Sequence, residues 1–292
     1  MPEYSATDIG NVAIFGIGSM GQRYRRLLRD NIGVPDKDVF LCDTVNGDTG
    51  RQWFDGPEQL CERLDRESVG LAIVSTPADS HIEYLCHVAE TFPNAAVLVE
   101  KPLTNGRISD CDPMLVPSLF TRTIAVGYNW RFHPWVKILK STDSPIVDLS
   151  LHVSEDMRNW PGKSYGMPLY EFSHELDMVR VLLDKPVVTS VNHASRGEHY
   201  RINGEHERGE WKVVIRSADC PKSRWFRATL RNGMQMSGKW PTSVRTIERT
   251  YLKQLENLIA ASQGGDGPRG IECPLHEGYA TAKFVDRIAS AL

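Results

Sequence analysis

The sequence lacks the features that place a chain in a specialised class. Its six cysteines form no C-x-x-C pair and are scattered among predicted core segments, which favours free thiols in a reducing compartment. Its formal net charge is only −3, so no basic footprint for nucleic acid is present. No apolar run approaches the length of a membrane span. We therefore expect a soluble protein without a nucleic-acid or membrane partner.

Two further absences concern location and metals. Residues 1–5 lack the charged and apolar regions of a signal peptide, so the cytoplasm is the expected compartment. Among the nine histidines, His81 and His87 are six positions apart, which does not place them on one helix face. His193, His199 and His206 lie in a polar stretch without ligand spacing. The sequence predicts no metal site.

The most informative stretch is a glycine-rich loop near the amino terminus. A short apolar run leads into GIGSMG, which comprises Gly16, Ile17, Gly18, Ser19, Met20 and Gly21. The spacing permits a tight turn at the first glycine, close approach of a pyrophosphate at the second, and close helix packing at the third. A helix-like segment follows, and its amino terminus would face the phosphate. The sequence therefore predicts a dinucleotide site, with a plain glycine-rich turn as the alternative.

An acidic residue follows the glycine loop at the distance that a dinucleotide site requires. Asp43 ends a strand-like run about twenty residues beyond the glycines. Its carboxylate would accept hydrogen bonds from the adenosine ribose hydroxyls and would repel a 2′-phosphate. No arginine or lysine follows it until Arg51. The sequence therefore favours NAD as the cofactor, with NADP as the alternative.

The first part of the chain alternates strand and helix patterns. Short apolar runs that suit strands buried on both faces lie at residues 12–15, 39–42, 71–74, 96–99 and 124–126. Helix-like segments lie between them, at residues 22–30, 58–64, 81–91 and 114–119. This βαβ alternation predicts a doubly wound parallel sheet, which binds ligands beyond the carboxyl ends of its strands.

The pattern changes after about residue 128. An alternating run at 146–153 and a helix pattern at 169–183 precede strand-like runs at 187–193, 211–217, 225–230 and 234–238. Helices at residues 244–261 and 276–291 close the chain. The sequence thus predicts an α/β protein with a Rossmann domain over residues 1–129. An α+β domain with an open, mostly antiparallel sheet is predicted over residues 130–292.

Two short motifs end predicted strands of the first domain. The loop Ser75, Thr76 and Pro77, with His81 opening the next helix, can touch the nicotinamide half of a cofactor. A simple turn with an N-cap residue is the alternative for this loop.

The second of these motifs contains a lysine. Glu100, Lys101 and Pro102 close the fourth strand. At a strand's carboxyl end Lys101 is directed toward the ligand crevice, where it can hydrogen-bond a substrate hydroxyl. A lysine taken alone is more often an ordinary surface residue.

Two polar segments follow. Asn129 and Arg131 lie in GYNWRFHP, where the domains should join, and can orient a polyol or an acid unless the segment is only a hydrophobic hinge. Glu171, His174 and Asp177 recur every three residues on a predicted helix, so they share one face. A histidine oriented by carboxylates is a natural general acid or base near neutral pH. A solvent-facing helix surface is the alternative.

Taken together, these motifs resemble the glucose–fructose oxidoreductase / inositol dehydrogenase (Gfo/Idh/MocA) family. The pieces GIGSMG, STP with its following histidine, EKP, GYNWRFHP and SHELD fit the family in order and interval across almost the whole chain. The resemblance implies a Rossmann domain, an α/β domain with an open sheet, and NAD(P)-dependent hydride transfer on a sugar or cyclitol. It also implies a homodimer or homotetramer, since the sheet face often forms an oligomer interface.

The resemblance assigns roles to individual residues. Lys101 matches the EKP lysine, which polarises the substrate oxygen, and His174 matches the catalytic histidine, which exchanges the hydroxyl proton. The family's usual aspartate is absent: Glu171 occupies the nearest place and would orient the histidine, with Tyr170 as the alternative. The implied substrate contacts are Asn129, Arg131, Trp160, Tyr165 and Asp177. The implied cofactor contacts are the six GIGSMG residues, Asp43, Ser75, Thr76, Pro77, His81, Glu100, Lys101 and Pro102.

Three functions stay open at this point. The first is a dehydrogenase for a sugar, sugar acid or sugar-nucleotide-like substrate, because SHELD resembles a branch found in surface-sugar pathways. The second is an imine or enone reductase of secondary metabolism. The third is a non-catalytic dinucleotide-binding regulator on the same fold. The presence of both Lys101 and His174 favours alcohol–ketone chemistry, since imine reduction needs only a proton donor.

Overall fold

The computed structural model describes residues 9–44, 53–54, 57–104, 116–157, 168–194, 199–240, 244–264 and 267–292. The chain divides into two compact units, Met1–Gly127 with Tyr251–Tyr279, and Tyr128–Thr250 with Ala280–Leu292. Within the described ranges, no helix has the length and apolar character that a membrane crossing needs. The predicted substrate contacts Trp160 and Tyr165 lie outside the described residues.

The first unit is built on a six-stranded parallel sheet. Its strands are β1 (Asn11–Phe15), β2 (Val39–Cys42), β3 (Trp53–Phe54), β4 (Val69–Val74), β5 (Ala96–Val99) and β6 (Ile124–Val126). Their order is β3-β2-β1-β4-β5-β6, and every neighbouring pair is parallel. The predicted doubly wound sheet is confirmed. The order reverses between β1 and β4, whose carboxyl ends flank the crevice where such sheets bind dinucleotides.

The helices of the first unit follow the predicted pattern with shifted ends. They are α1 (Ser19–Leu27), α2 (Pro57–Arg63) and α3 (His81–Thr91). Helix α1 begins directly after the glycine loop, and a π-helical turn, Leu28–Ile32, continues it to Gly33. The helix predicted near residues 114–119 is, in its described part, a 3-10 turn at Pro117–Thr121.

A later part of the chain completes the first unit. The Val126 N–H donates to the Cys273 carbonyl at 3.0 Å, and Gln254 Nε2 donates to the Val126 carbonyl at 3.0 Å. Strand β6, at the sheet edge, thus gains partners from the segment Tyr251–Tyr279. The two compact units are each built from two segments of the chain, whereas the sequence predicted a single boundary after residue 129. The assignment of cofactor binding to residues 1–129 and of substrate binding to residues 130–292 stays a prediction.

The second unit contains the other sheet. Its strands are β7 (Ile146–Ser154), β8 (Val187–Ala194), β9 (His199–His206), β10 (Gly209–Arg216), β11 (Ser223–Leu230) and β12 (Gln235–Lys239). The order is β12-β11-β7-β10-β9-β8, with β7 and β10 parallel and the other neighbours antiparallel. The open, mostly antiparallel sheet is therefore confirmed. One face carries the buried core of the unit, and Trp211 is its largest fully buried side chain.

The helical pattern around His174 is interrupted. The described helices outside the first three are α4 (Pro134–Lys140), α5 (Pro168–Glu171), α6 (Ser173–Leu182), α7 (Val244–Gln263) and α8 (Leu275–Ala289). The expectation of one helix over residues 169–183 is wrong, because the backbone leaves helical geometry at Phe172, with φ −90° and ψ 23°. Glu171 therefore ends α5, whereas His174 lies in the first turn of α6.

Candidate functional site

The glycine loop of the first unit has the geometry that a pyrophosphate requires. Gly16 lies at φ +84°, and a Cβ there would stand 2.6 Å from the Ser75 carbonyl oxygen. A Cβ on Gly21 would stand 2.1 Å from the Gly16 oxygen, whereas a Cβ on Gly18 would meet nothing within 4 Å. Gly18 is also the N-cap of α1 and provides no side-chain cap. The backbone beside Gly18 thus has open space in front of a helix amino terminus, which fits a phosphate group.

Asp43 has a structural partner that the sequence did not reveal. Its Oδ2 accepts a hydrogen bond from the Ile17 N–H at 2.6 Å. The carboxylate at the end of β2 therefore holds the glycine loop, and its predicted contact with the adenosine ribose stays a prediction. The two roles are compatible, because a carboxylate has several acceptor sites.

The loop after β4 is joined to the glycine loop. Ser75 Oγ donates to the Gly16 carbonyl at 2.8 Å, and the Ser75 N–H donates to the Phe15 carbonyl at 2.7 Å. Ser80 Oγ donates to Thr76 Oγ1 at 2.9 Å, and Pro77 is exposed. The two strand-end loops that the sequence assigned to cofactor binding are thus adjacent in the first unit.

The segment containing Lys101 is braced by a carboxylate. Glu100 is buried, and its Oε1 accepts a hydrogen bond from the Tyr24 hydroxyl on α1. Its Oε2 accepts the Lys101 N–H at 3.0 Å. Burial raises the pKa of Glu100, while the hydrogen bond from Tyr24 acts in the opposite direction. Glu100 therefore holds the backbone of the proposed catalytic lysine, and Tyr24 is a residue that sequence reasoning missed.

In the second unit, His174 is enclosed by aromatic rings. Its ring centroid lies 5.8 Å from that of Tyr128, edge to face, and 5.6 Å from that of Trp130. His174 is buried, with 7% of its surface exposed. His133 stacks on Trp130, with ring centroids 6.2 Å apart, and its Nδ1 accepts the Trp135 N–H. Burial lowers the pKa of His133 to about 4, which makes it unsuited to proton exchange near neutral pH.

Arg131 and Asp177 form a buried ion pair. Arg131 Nε and Nη2 donate to the two Asp177 oxygens at 2.9 and 2.6 Å, and Thr281 Oγ1 also donates to Asp177 at 2.7 Å. Both side chains are almost wholly buried. The sequence placed both residues in contact with substrate, but this bidentate pair directs their polar atoms toward each other. We therefore propose that they support the segment around Trp130 and helix α6.

Breaking this pair has a measurable consequence. Asp177→Ala should lower the free energy of unfolding by about 3–5 kcal/mol, because it leaves the Arg131 charge buried without its partner. Urea unfolding measures this change. The matched control is Asp184→Ala, which removes the exposed Asp184–Arg208 pair and should cost less than about 1 kcal/mol. Equal, small effects of both substitutions would contradict the supporting role.

The other residues that the sequence predicted at the site differ in burial and in hydrogen-bond partners. Asn129 is fully buried and donates through Nδ2 to Thr250 at 2.7 Å, while its Oδ1 has no hydrogen-bond partner among the described residues. Glu171 is partly exposed at the end of α5. Tyr170, the alternative to Glu171, donates its hydroxyl to Asp286 at 2.9 Å. The amide of Asn129 is thus held by Thr250 inside the second unit, and Tyr170 is engaged within the same unit.

An ion network beside Trp130 was not foreseen. The Arg224 guanidinium lies 5.0 Å from the Trp130 ring centre and contacts Glu155 at 3.1 Å and Glu175 at 3.2 Å. Glu175 directly follows His174 in α6. The three charged residues Glu155, Glu175 and Arg224 lie 20 to 69 positions apart in sequence, so no local pattern joins them. The described residues contain no group of three or more histidine, cysteine or acidic side chains placed to hold a metal.

Comparison with known proteins gives a structural likeness. No protein-family model and no curated protein matches the chain. The myo-inositol dehydrogenase from Lactobacillus casei, in complex with NAD(H) and myo-inositol, matches with a TM-score of 0.74 at 13% identity, over 97% of this chain and 94% of that chain. GenD2 from gentamicin A biosynthesis, in complex with NAD, matches with 0.74 at 15% identity, over 100% and 97%. The UDP-N-acetylglucosamine 3-dehydrogenase GnnA from Acidithiobacillus ferrooxidans matches with 0.73 at 14% identity, over 97% of each chain. At such low identities the structural likeness establishes the fold alone, which is the one that the motif resemblance implied.

Proposed function

We propose that this chain is an NAD-dependent dehydrogenase of the Gfo/Idh/MocA type, acting on a carbinol or carbonyl carbon of a sugar, sugar acid or sugar-nucleotide-like substrate. One observation carries the proposal: GIGSMG, Asp43, STP and EKP all lie at the carboxyl ends of a parallel sheet in the order β3-β2-β1-β4-β5-β6. The likeness to proteins described as binding NAD or NAD(H), and as dehydrogenases of inositol or a sugar nucleotide, supports it.

The residues of the first unit fit the cofactor. The open backbone at Gly18 and the uncapped start of α1 would hold the pyrophosphate, and Asp43 would bind the adenosine ribose. Ser75 and Thr76 would lie toward the nicotinamide half. When bound, the nicotinamide supplies a site that accepts or returns a hydride.

We assign a surface-sugar pathway as the context and the cytoplasm as the location; no disulfide joins the described cysteines, which is consistent with that location.

The chain's own residues supply binding and proton exchange. We propose that the Lys101 ammonium donates a hydrogen bond to the substrate oxygen, where it favours the more negative form of that oxygen. His174 is the general acid or base for the hydroxyl proton. Tyr128 and Trp130 exclude water from one side of its ring. Glu171, at the end of α5, orients the histidine in this proposal.

The direct test of this function is reduction of NAD+ with a panel of polyols. Cyclitols, hexoses, uronic acids and UDP-sugars are offered separately, and the appearance of NADH is followed by its absorbance. We expect turnover with at least one member and none in the Lys101→Met variant. NADH binding without turnover across the panel would favour the regulator alternative.

Cofactor choice is tested at Asp43. Asp43→Ser should weaken NADH binding and improve NADPH binding, because it removes the ribose acceptor and the charge that repels a 2′-phosphate. We expect the NADH-to-NADPH affinity ratio to fall by about tenfold or more, as measured by fluorescence titration. Asp36→Ser, at an exposed acid in the same unit, is the control. An unchanged ratio would place the ribose elsewhere.

The second sheet offers an interface for a second copy of the chain. Its outward face carries an acidic row in register (Asp148, Glu210 and Glu205), and Arg201 and Arg216 lie further along the same strands. A two-fold axis that lies in the interface plane, perpendicular to the strands, stacks the two faces with their strands reversed, so the acidic row of one copy would meet the arginines of the other. We therefore propose a homodimer through this face.

The oligomer proposal is tested by charge exchange. Light scattering after size exclusion should give a dimer for the wild type and a monomer for Glu205→Arg with Glu210→Arg. Adding Arg201→Glu and Arg216→Glu to the same chain should restore the dimer, because the pairing is merely inverted. A wild-type monomer, or a dimer that no variant affects, would contradict this interface.

A further inference from the structure

His81 connects two loops of the first unit. It is the first residue of α3 and is 2% exposed. One ring nitrogen, Nδ1, lies 2.8 Å from the carbonyl oxygen of Pro102, directly after Lys101. The other, Nε2, lies 2.7 Å from the carbonyl oxygen of Thr76 in the loop after β4. A single buried ring thus contacts the backbone of both strand-end loops.

The protonation of the ring decides how many of these contacts are hydrogen bonds. Carbonyl oxygens only accept, so each nitrogen must donate, and only the doubly protonated imidazolium has two N–H groups. Burial lowers the pKa of His81, the two carbonyls oppose that effect, Lys101 lowers the pKa further and Asp79 raises it. Both hydrogen bonds therefore exist below the pKa of His81, and one is lost as the pH rises through it.

We propose that His81 is a positioning residue: it fastens the Lys101 segment to the loop after β4, and it does so fully only when both ring nitrogens carry a proton. The other side of Lys101 is already held, since Glu100 accepts its N–H and Tyr24 holds Glu100. The segment is thus fixed at the backbone on both sides of the lysine. The consequence of this fastening for catalysis rests on the proposed role of Lys101. The hydrogen bonds from His81 to the two loops do not depend on that role.

Hydrogen–deuterium exchange tests the fastening without any substrate. His81→Phe removes both donors, and we expect protection in residues 76–80 and 101–104, measured below the pKa of His81, to fall about tenfold, the loss expected for a hydrogen bond to a charged group. His87→Phe, on the same helix α3, is the matched control and should leave both segments unchanged. If His81→Phe does not fold, His81→Gln is the second variant. Its side chain has a single amide NH2 group, so we expect faster exchange in at least one of the two segments. Unchanged protection in both segments would overturn the proposal.

The protonation is tested on the wild-type protein. After labelling with 15N-histidine, both His81 nitrogens should show the shifts of protonated nitrogen at low pH, and one should lose its proton as the pH rises. Protection factors in one of the two segments should fall over the same interval. A ring that stays singly protonated at all pH values in the folded range would overturn the proton-dependent part.

Activity separates the two proposals. If the protein turns over a polyol, His81→Phe should lower kcat, and its pH profile should lose the step that coincides with His81 titration. If exchange responds as expected but no polyol is turned over, the fastening stands and the dehydrogenase proposal fails.

Discussion

His174→Ala should lower turnover by about a hundredfold or more while leaving NADH affinity unchanged. General acid or base groups contribute rate factors of about 10²–10⁴, and alanine cannot exchange the hydroxyl proton. The alternative histidine of the same cluster, His133, has a pKa lowered by burial to about 4 and uses Nδ1 to accept the Trp135 N–H. We therefore do not expect it to replace His174. Steady-state rates with the polyol found in the panel, together with NADH fluorescence titration, measure both quantities.

The control for this experiment is a histidine away from the proposed chemistry. His152 lies on the outward face of the second sheet, stacked on Trp225 at 4.1 Å, so His152→Ala should leave turnover within about twofold. His174→Gln tests whether a hydrogen bond alone suffices. Turnover of His174→Ala at the wild-type rate would show that the histidine has been assigned wrongly. A loss of NADH binding would instead indicate a structural role.

Gly18→Ala should separate cofactor binding from folding. A Cβ at this position meets nothing within 4 Å, so the fold should tolerate it at a cost below about 1 kcal/mol. The same methyl group would occupy the space that a pyrophosphate needs. Overpacking of this kind costs about 1–3 kcal/mol, which corresponds to a loss of about 5–150-fold in NADH affinity. Thermal unfolding and NADH titration of the same sample test both statements.

Gly21→Ala is the counterpart in which the added methyl group should affect folding as well as cofactor binding. Its Cβ would stand 2.1 Å from the Gly16 oxygen, a distance at which the backbone must move. We expect lower stability as well as weaker cofactor binding. If Gly18→Ala binds NADH as tightly as the wild type, the pyrophosphate does not pass over this backbone and the proposed site is wrong.

The elements that the sequence predicted well are those in which local pattern and tertiary burial agree. Strands β2, β5 and β6 match the predicted residues, because strands buried on both faces must be continuously apolar. Strand β9 was missed. Its sequence, HYRINGEH, is polar, and only alternate residues such as Tyr200 and Ile202 are buried in the core. A single buried face with few large side chains gives a weak local signal.

The residues of the proposed site were likewise predictable only where the pattern is local. Spacing alone correctly indicated that Gly16, Gly18 and Gly21 form one loop, since the motif is local. It did not indicate that Asp177 pairs with Arg131, 46 positions away, or that Tyr24 holds Glu100, 76 positions away. Three-residue spacing also suggested that Glu171 and His174 share a helix, but the break at Phe172 separates them. Such pairs are set by tertiary packing, which periodicity does not encode.

The most direct test of the account is calorimetric titration of the purified chain with NADH and with NADPH, after any co-purified cofactor has been identified. The account predicts a single saturable NADH site and weaker binding of NADPH, with the NADH site weakened in Gly18→Ala. Tighter binding of NADPH would contradict the role of Asp43 while keeping the dehydrogenase proposal. Binding of neither cofactor would contradict the central claim, because the parallel sheet would then carry a nucleotide motif without a nucleotide.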